Sequence, residues 1–138
     1  MKMKNKKWFS TLLIAASVFL TALPVQAASS QYLEMYENGP STVESYHHHG
    51  NHVYITVNNS APTGNWGDIN WELIDGYSQT IASGTVTNPL TVFGYPNSGD
   101  HNISLDFPLD GSNQNDARLV LTCTSGRCQG DAYIETTN

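Results

Sequence analysis

Apolar and polar residues alternate along most of the chain that follows residue 30. In "HVYITV" the residues Val53, Ile55 and Val57 fall on one face of a strand, and "LEMY", "INWEL", "HNISLDF" and "RLVLTC" repeat this pattern. The intervening segments, such as "NNSAPTGN", "YPNSGD" and "LDGSNQND", are rich in residues that form turns. No segment in this region keeps a helical period. The pattern predicts an all-β domain of seven or eight short strands, a small antiparallel β-sandwich at residues 28–138, with a small closed β-barrel as the alternative.

The first 27 residues have a different pattern. Four lysines precede the apolar run "WFSTLLIAASVFLTAL", and "PVQA" ends on a small residue, which is the layout of a secretory signal peptide. We expect cleavage after Ala27, an extracellular protein, and no membrane span in the mature chain.

Loss of this segment changes the charge of the chain. It removes all four lysines, which lowers the formal charge from −6 to −10 and leaves Arg118 and Arg127 as the only fixed cations. Nucleic acids and anionic membranes need clustered Lys and Arg, so both are excluded as expected partners. Cationic partners, metal ions and neutral polymers remain open.

Two cysteines, Cys123 and Cys128, enclose the turn-forming segment "TSGR". In an exported protein such a pair is expected to form a disulfide, and we expect it to close a hairpin. The small loop limits its stabilisation to ~2 kcal/mol.

Four of the five histidines lie in "YHHHGNHVYITV". Gly50 and Asn51 suit a two-residue hairpin turn, which would place Tyr46 and His48 on the inner face. The same register brings three side chains together on the outer face as a possible Zn, Cu or Ni site: His47, His49 and His52. The alternative is a solvated turn with no selected metal site.

The segment "YHHHGNHVYITVNN" also resembles part of the lactococcin-972-like bacteriocins, which are small, exported and β-rich. From "NWELIDGYSQTIASG" onward, the layout of strands is similar to accessory sandwich domains of secreted bacterial peptidases. The first resemblance implies a small exported toxin, and the second implies only an architecture.

No catalytic motif such as GxSxG, HExxH or a phosphate loop is present, so an enzyme is not the leading expectation. The segment "DGSNQND", with Asp110 and Asp116 at its ends, is read as an ordinary loop in preference to a calcium site.

Aromatic residues exceed the needs of a small core, and Trp66, Tyr54 and Tyr95 are the candidate contacts for a ligand. The leading prediction is therefore a secreted, non-catalytic module that binds a glycan, a cell-surface component or an exported protein. A bacteriocin-like toxin and a metal-binding protein are the alternatives.

Overall fold

The computed structural model describes residues 29–138, so the predicted signal peptide at residues 1–27 lies outside the described part of the chain. Within residues 29–138, no helix has the length and apolar character that a membrane crossing would require. The described residues form nine strands in two antiparallel sheets.

The four-stranded sheet has the order β1-β9-β4-β7. Its members are β1 (Ser30–Met35), β9 (Gly130–Thr137), β4 (His52–Asn59) and β7 (Asn102–Pro108). β4 pairs along its whole length with β9 on one side and along most of it with β7 on the other.

The five-stranded sheet has the order β2-β8-β5-β6, with β3 also paired to β8. Its members are β2 (Thr42–Glu44), β3 (His48–His49), β8 (Asp116–Cys123), β5 (Ile69–Asp75) and β6 (Thr80–Val86). Because β2 and β3 both run beside β8, they are two short pieces of one interrupted edge. The two sheets remain separate, so the predicted sandwich is confirmed and the closed barrel is not formed.

The core lies between the sheets, and the predicted alternation defines it. Val53, Ile55 and Val57 of β4 are fully buried, as are Leu119 and Leu121 of β8. The apolar residues of β7 are only half-buried because this strand forms an edge of its sheet. Full burial of a Val, Leu or Ile side chain contributes roughly 1.5–3 kcal/mol, so this alternating set is the main source of stability.

Four connections meet at one end of the sandwich, which we call the loop end: residues 36–41, 60–68, 87–101 and 124–129. Two buried asparagines hold the loop end together. Asn59 donates to the carbonyls of Gly67 and Val86, and Asn88 donates to those of Thr63 and Trp66. These bonds satisfy backbone carbonyls at the loop end, and they give the long loops a defined conformation.

The predicted disulfide is present at the loop end, with Cα atoms 5.7 Å apart. Cys123 ends β8 in the five-stranded sheet, whereas Cys128 precedes β9 in the four-stranded sheet. The expectation of a hairpin was therefore wrong, since the disulfide closes a crossing between the sheets. Sequence spacing predicts the bond but cannot tell which sheet each flanking strand joins.

The segment "DGSNQND" lies at the opposite end of the sandwich, between β7 and β8. It contains a short 3-10 helix, Gly111–Asn113, which Asp110 caps by accepting a hydrogen bond from the amide of Ser112 at 2.7 Å. Asp116 at its other end starts β8. The two carboxylates thus have separate partners: Asp110 caps the 3-10 helix, and Asp116 contacts His47.

Candidate binding surfaces

The histidine segment does not form the predicted hairpin. His48 and His49 pair with β8 of the five-stranded sheet, whereas His52 begins β4 in the four-stranded sheet. Gly50 is the corner between the sheets, and a Cβ atom there would lie 2.7 Å from the carbonyl oxygen of Thr137. Glycine is needed at this position for a close approach to β9. Gly50 is thus required because a side chain would collide with β9, and not because the backbone forms a tight hairpin turn.

This corner separates the three predicted metal ligands. His47 Nδ1 lies 2.7 Å from Asp116, whereas His52 Nδ1 lies 2.6 Å from Asp106 on the other sheet. His49 Nδ1 is 3.8 Å from Asp116. Within residues 29–138, no three His, Cys, Asp or Glu side chains are arranged to hold a metal ion. Zn, Cu or Ni binding by these residues thus remains a prediction without geometric support.

His48 is buried, in agreement with its predicted inward position. Its Nδ1 lies 2.7 Å from the hydroxyl of Ser29, and Nε2 lies 3.4 Å from Gln31 Oε1. Burial lowers the pKa of His48 because the charged imidazolium loses its hydration. Tyr46, which was also expected to face inward, is instead 80% exposed, because it precedes β3 in an irregular segment.

Asp116 is a buried carboxylate that sequence reasoning assigned only to a loop. One oxygen contacts His47, while Oδ1 is buried and has no hydrogen-bond partner. His49 faces this oxygen at 3.8 Å, beyond hydrogen-bond range. The hydrogen bond between His47 and Asp116 links the residue before β3 to the start of β8. It could not be found from sequence because the two residues are far apart in the chain.

The outer face of the four-stranded sheet carries three tyrosines, Tyr32, Tyr133 and Tyr54, which we call the tyrosine face. Tyr32 and Tyr54 are exposed, and Tyr133 is half-buried. Tyr32 of β1 is 73% exposed and lies directly opposite Tyr133 of β9. Their ring centroids are 5.0 Å apart with a 48° tilt. Tyr54 lies on the next strand, diagonal to Tyr133, and donates a hydrogen bond to Ser104 at 3.4 Å. The three rings therefore cross three adjacent strands.

Tyr54 was predicted as a contact residue, but Tyr32 was not. Tyr32 is a candidate contact because its ring lies next to that of Tyr133, which is distant in sequence. The alternation in "QYLEMY" did indicate that Tyr32 faces solvent, because Leu33 faces the core. The missing information was the pairing of β1 with β9.

Carboxylates surround the tyrosine face. They are carried by Glu34, Asp131, Glu135 and Asp106, at outward positions of β1, β9 and β7. Both arginines lie elsewhere: Arg118 pairs with Glu44 and Arg127 pairs with Glu37. This side of the sandwich therefore has acceptor oxygens and negative charge but no fixed cation.

Trp66 covers the loop end and does not project from it. It is only 9% exposed, and the guanidinium of Arg127 stacks over its ring at 4.6 Å. Trp66 also lines a cleft of about 420 Å³ together with Tyr36, Glu34 and Asp131. Because Glu34 and Asp131 border the tyrosine face as well, the cleft adjoins that face, and Trp66 contributes a wall of it.

Tyr95 lies apart from the tyrosine face, on the long loop between β6 and β7, where it is exposed. The predicted contacts Trp66, Tyr54 and Tyr95 thus belong to three different places and form no single site.

A shallow groove of about 540 Å³ crosses the outer face of the five-stranded sheet. Its lining is rich in hydroxyl groups, including those of Thr80, Ser83, Thr85 and Thr122. Trp71 contributes to the groove but is a buried core residue. The groove thus offers hydrogen bonds without an exposed ring.

No protein-family model matches the chain, and no curated protein matches it. The resemblance to the lactococcin-972-like bacteriocins therefore rests on the histidine segment alone.

Proposed function

We propose that this protein is an extracellular, non-catalytic module that binds a neutral polysaccharide on the tyrosine face. The observation that carries the proposal is the pair of adjoining rings, Tyr32 and Tyr133, on an exposed sheet surface. Export is supported by the signal-like first 27 residues and by the disulfide, which is typical of oxidising compartments.

Tyrosine rings on the outer face of a sheet suit sugar recognition. A sugar ring has apolar C–H faces and a rim of hydroxyl groups, and a tyrosine offers an apolar ring with a polar end. Tyr32, Tyr133 and Tyr54 supply such rings on successive strands, where diagonal neighbours lie roughly 7–8 Å apart. An extended chain of sugars is therefore the ligand shape that fits best.

The polar groups around the rings indicate the charge of the ligand. Glu34, Asp131, Glu135 and Asp106 can accept hydrogen bonds from sugar hydroxyls, and they repel uronate, sulfate or phosphate groups. A neutral polysaccharide can donate hydrogen bonds to these carboxylates and carries no negative charge for them to repel.

Affinity gel electrophoresis tests the proposal. The purified, oxidised protein is run through gels that contain neutral glucans, xylan or mannan, and through gels that contain anionic alginate or pectate. We expect retardation by at least one neutral polymer and by neither anionic polymer. Tyr32→Ala and Tyr133→Ala should each weaken binding about tenfold, since each removes one large apolar contact.

Tyr77→Ala is the matched control, because Tyr77 is an exposed tyrosine in the turn after β5, away from the tyrosine face. It should leave retardation unchanged. An equal loss in Tyr77→Ala and Tyr32→Ala, or retention of full binding by the Tyr32→Ala/Tyr133→Ala double variant, would contradict the proposal. The toxin and metal-binding alternatives remain predictions from the sequence.

A further inference from the structure

The loop between β6 and β7 ends in a cluster of exposed apolar side chains. Val92 is 66% exposed, Phe93 is 83% exposed and Tyr95 is 70% exposed. Together with Gly94 we call these residues the apolar tip. Apart from its two chain neighbours, no described residue lies within 4 Å of the position that a Cβ atom on Gly94 would occupy, so the space beside this glycine is open.

The tip is a structured turn. Thr91 donates from its backbone amide to the carbonyl of Tyr95 at 2.7 Å and accepts from the amide of Gly94 at 2.8 Å. Its hydroxyl also accepts from the amide of Tyr95 at 3.2 Å. Gly94 has φ of +80°, a conformation that glycine adopts without strain. Three backbone groups of the tip are therefore satisfied within the turn: the amide of Gly94 and both the amide and the carbonyl of Tyr95.

The base of the tip is packed against the loop end. The carbonyl of Thr91 approaches Gly64 so closely that a Cβ atom there would lie 1.7 Å away. Below it, Leu90 and Pro96 are joined by a β-bridge, and buried Asn88 accepts from the amide of Leu90 at 2.9 Å. The exposed side chains are thus presented on a well-supported base.

The surroundings of the tip in sequence are uncharged. From Gly76 to Gly99 the chain contains no Asp, Glu, Lys or Arg, although the described chain is strongly acidic overall. Charged residues are costly at the boundary of a hydrocarbon phase, and their absence here removes that cost.

The exposed area is small for a protein interface. An aromatic side chain buries roughly 150–250 Å², so the tip offers roughly 500 Å², whereas a stable protein interface needs about 800 Å² per partner. A lipid surface needs no complementary shape, and its affinity depends on the apolar area that enters it.

We propose that the apolar tip inserts into the boundary between the headgroups and acyl chains of an uncharged lipid bilayer. Val92 and Phe93 enter the apolar side of that boundary, and the hydroxyl of Tyr95 stays at headgroup level, where tyrosine is favoured. The internal hydrogen bonds of Thr91 keep backbone groups paired as water is lost. The acidic chain favours zwitterionic over anionic lipid.

This inference is independent of the proposed polysaccharide binding. The tip belongs to the loop end, whereas the tyrosine face lies on the side of the four-stranded sheet. Substitutions in one surface should therefore leave binding at the other unchanged.

Vesicle flotation tests the proposal with the purified, oxidised protein and vesicles of pure phosphatidylcholine. We expect the protein to float with the vesicles and to float less when phosphatidylglycerol replaces a third of the lipid. Phe93→Ser and Val92→Ser should each weaken partitioning, the former by at least about tenfold. Tyr46→Ser is the matched control, because Tyr46 is equally exposed but lies near the other end of the sandwich. The protein used has the mass expected after cleavage at Ala27, so the apolar N-terminal segment does not contribute to flotation.

A second measurement locates the tip in the bilayer. The fluorescence of a Phe93→Trp variant, measured against the unsubstituted protein, should shift to shorter wavelength with vesicles and be quenched by brominated acyl chains. The proposal would be overturned if Phe93→Ser floated as well as the unsubstituted protein. It would also be overturned if the tryptophan of Phe93→Trp stayed accessible to aqueous quenchers in the presence of vesicles. A third outcome would also overturn the proposal: the protein does not bind vesicles but forms concentration-dependent dimers, and Phe93→Ser abolishes the dimers. The tip would then be a contact with a second copy of the chain.

Discussion

Replacement of Asn88 by alanine should strongly destabilise the protein, because this buried side chain joins two segments of the loop end, residues 60–68 and 87–101. Its Nδ2 donates to the carbonyls of Thr63 at 2.8 Å and Trp66 at 2.9 Å, and its Oδ1 accepts from the amide of Leu90 at 2.9 Å. Each such bond contributes about 1 kcal/mol, and alanine offers no replacement partner. We expect the free energy of unfolding to fall by roughly 3 kcal/mol in Asn88→Ala.

Urea unfolding followed by tryptophan fluorescence measures this change, since Trp66 lies beside Asn88. The melting temperature should fall by roughly 10–15 °C for a domain of this size. Asn97→Ala is the matched control in the same loop, because Asn97 donates a single side-chain bond, to the carbonyl of Asn88 at 3.1 Å. It should cost about 1 kcal/mol. If the two variants are equally stable, or if Asn88→Ala costs less than its control, the hydrogen bonds do not hold the loop end as argued.

Three further outcomes follow from the structure. Since burial lowers the pKa of His48 below its ordinary value of 6.5, the unfolded chain binds the proton more tightly, and the free energy of unfolding should decrease as pH falls below about 6.5. Thermal melts between pH 5 and 7.5 should show a smaller decrease in His48→Gln. A Cβ atom on Gly84 would lie 2.9 Å from the indole of Trp71, so Gly84→Val should destabilise by about 1–3 kcal/mol in chemical unfolding; a gain in stability would contradict this packing. Reduction of Cys123–Cys128 should cost ~2 kcal/mol and leave the far-UV circular dichroism at 20 °C unchanged, because the bond closes a short loop.

The sequence predicted the sandwich well because burial alternates with period two in strands. Val53, Ile55 and Val57 are buried as expected, and so is Trp71. This pattern tells which side of a strand faces the core. It does not tell which strand lies beside it, and that information decides where most of the surface chemistry assembles.

The histidine segment illustrates this limit. His49 and His52 are separated by two residues, and a hairpin was the simplest way to join them, but each pairs with a different sheet. The same limit concealed Asp116 as the partner of His47, and it concealed Tyr32. Contacts between residues distant in sequence depend on strand order, which local patterns leave open.

The aromatic residues were predicted as a group but not by location. Trp66 was predicted as a candidate ligand contact, and in the structure its ring is largely buried at the loop end beneath the guanidinium of Arg127. Tyr95 was predicted as a ligand contact, and it is exposed. Its neighbours Val92 and Phe93 are exposed as well but were not predicted as contacts. Apolar residues in a loop are usually buried, and the sequence does not show which of them lack a covering contact.

The position of β9 in the four-stranded sheet also determines the order of assembly. Gly130–Thr137 follows every other described strand in sequence, yet it lies between β1 and β4 and pairs with both. Until these residues have emerged, β1 has no neighbour in its sheet and one side of β4 is open. A chain that emerges from its N-terminal end therefore cannot complete this sheet until Gly130–Thr137 is available. The slow, long-range closure of β1 onto β9 is then expected to limit the folding rate.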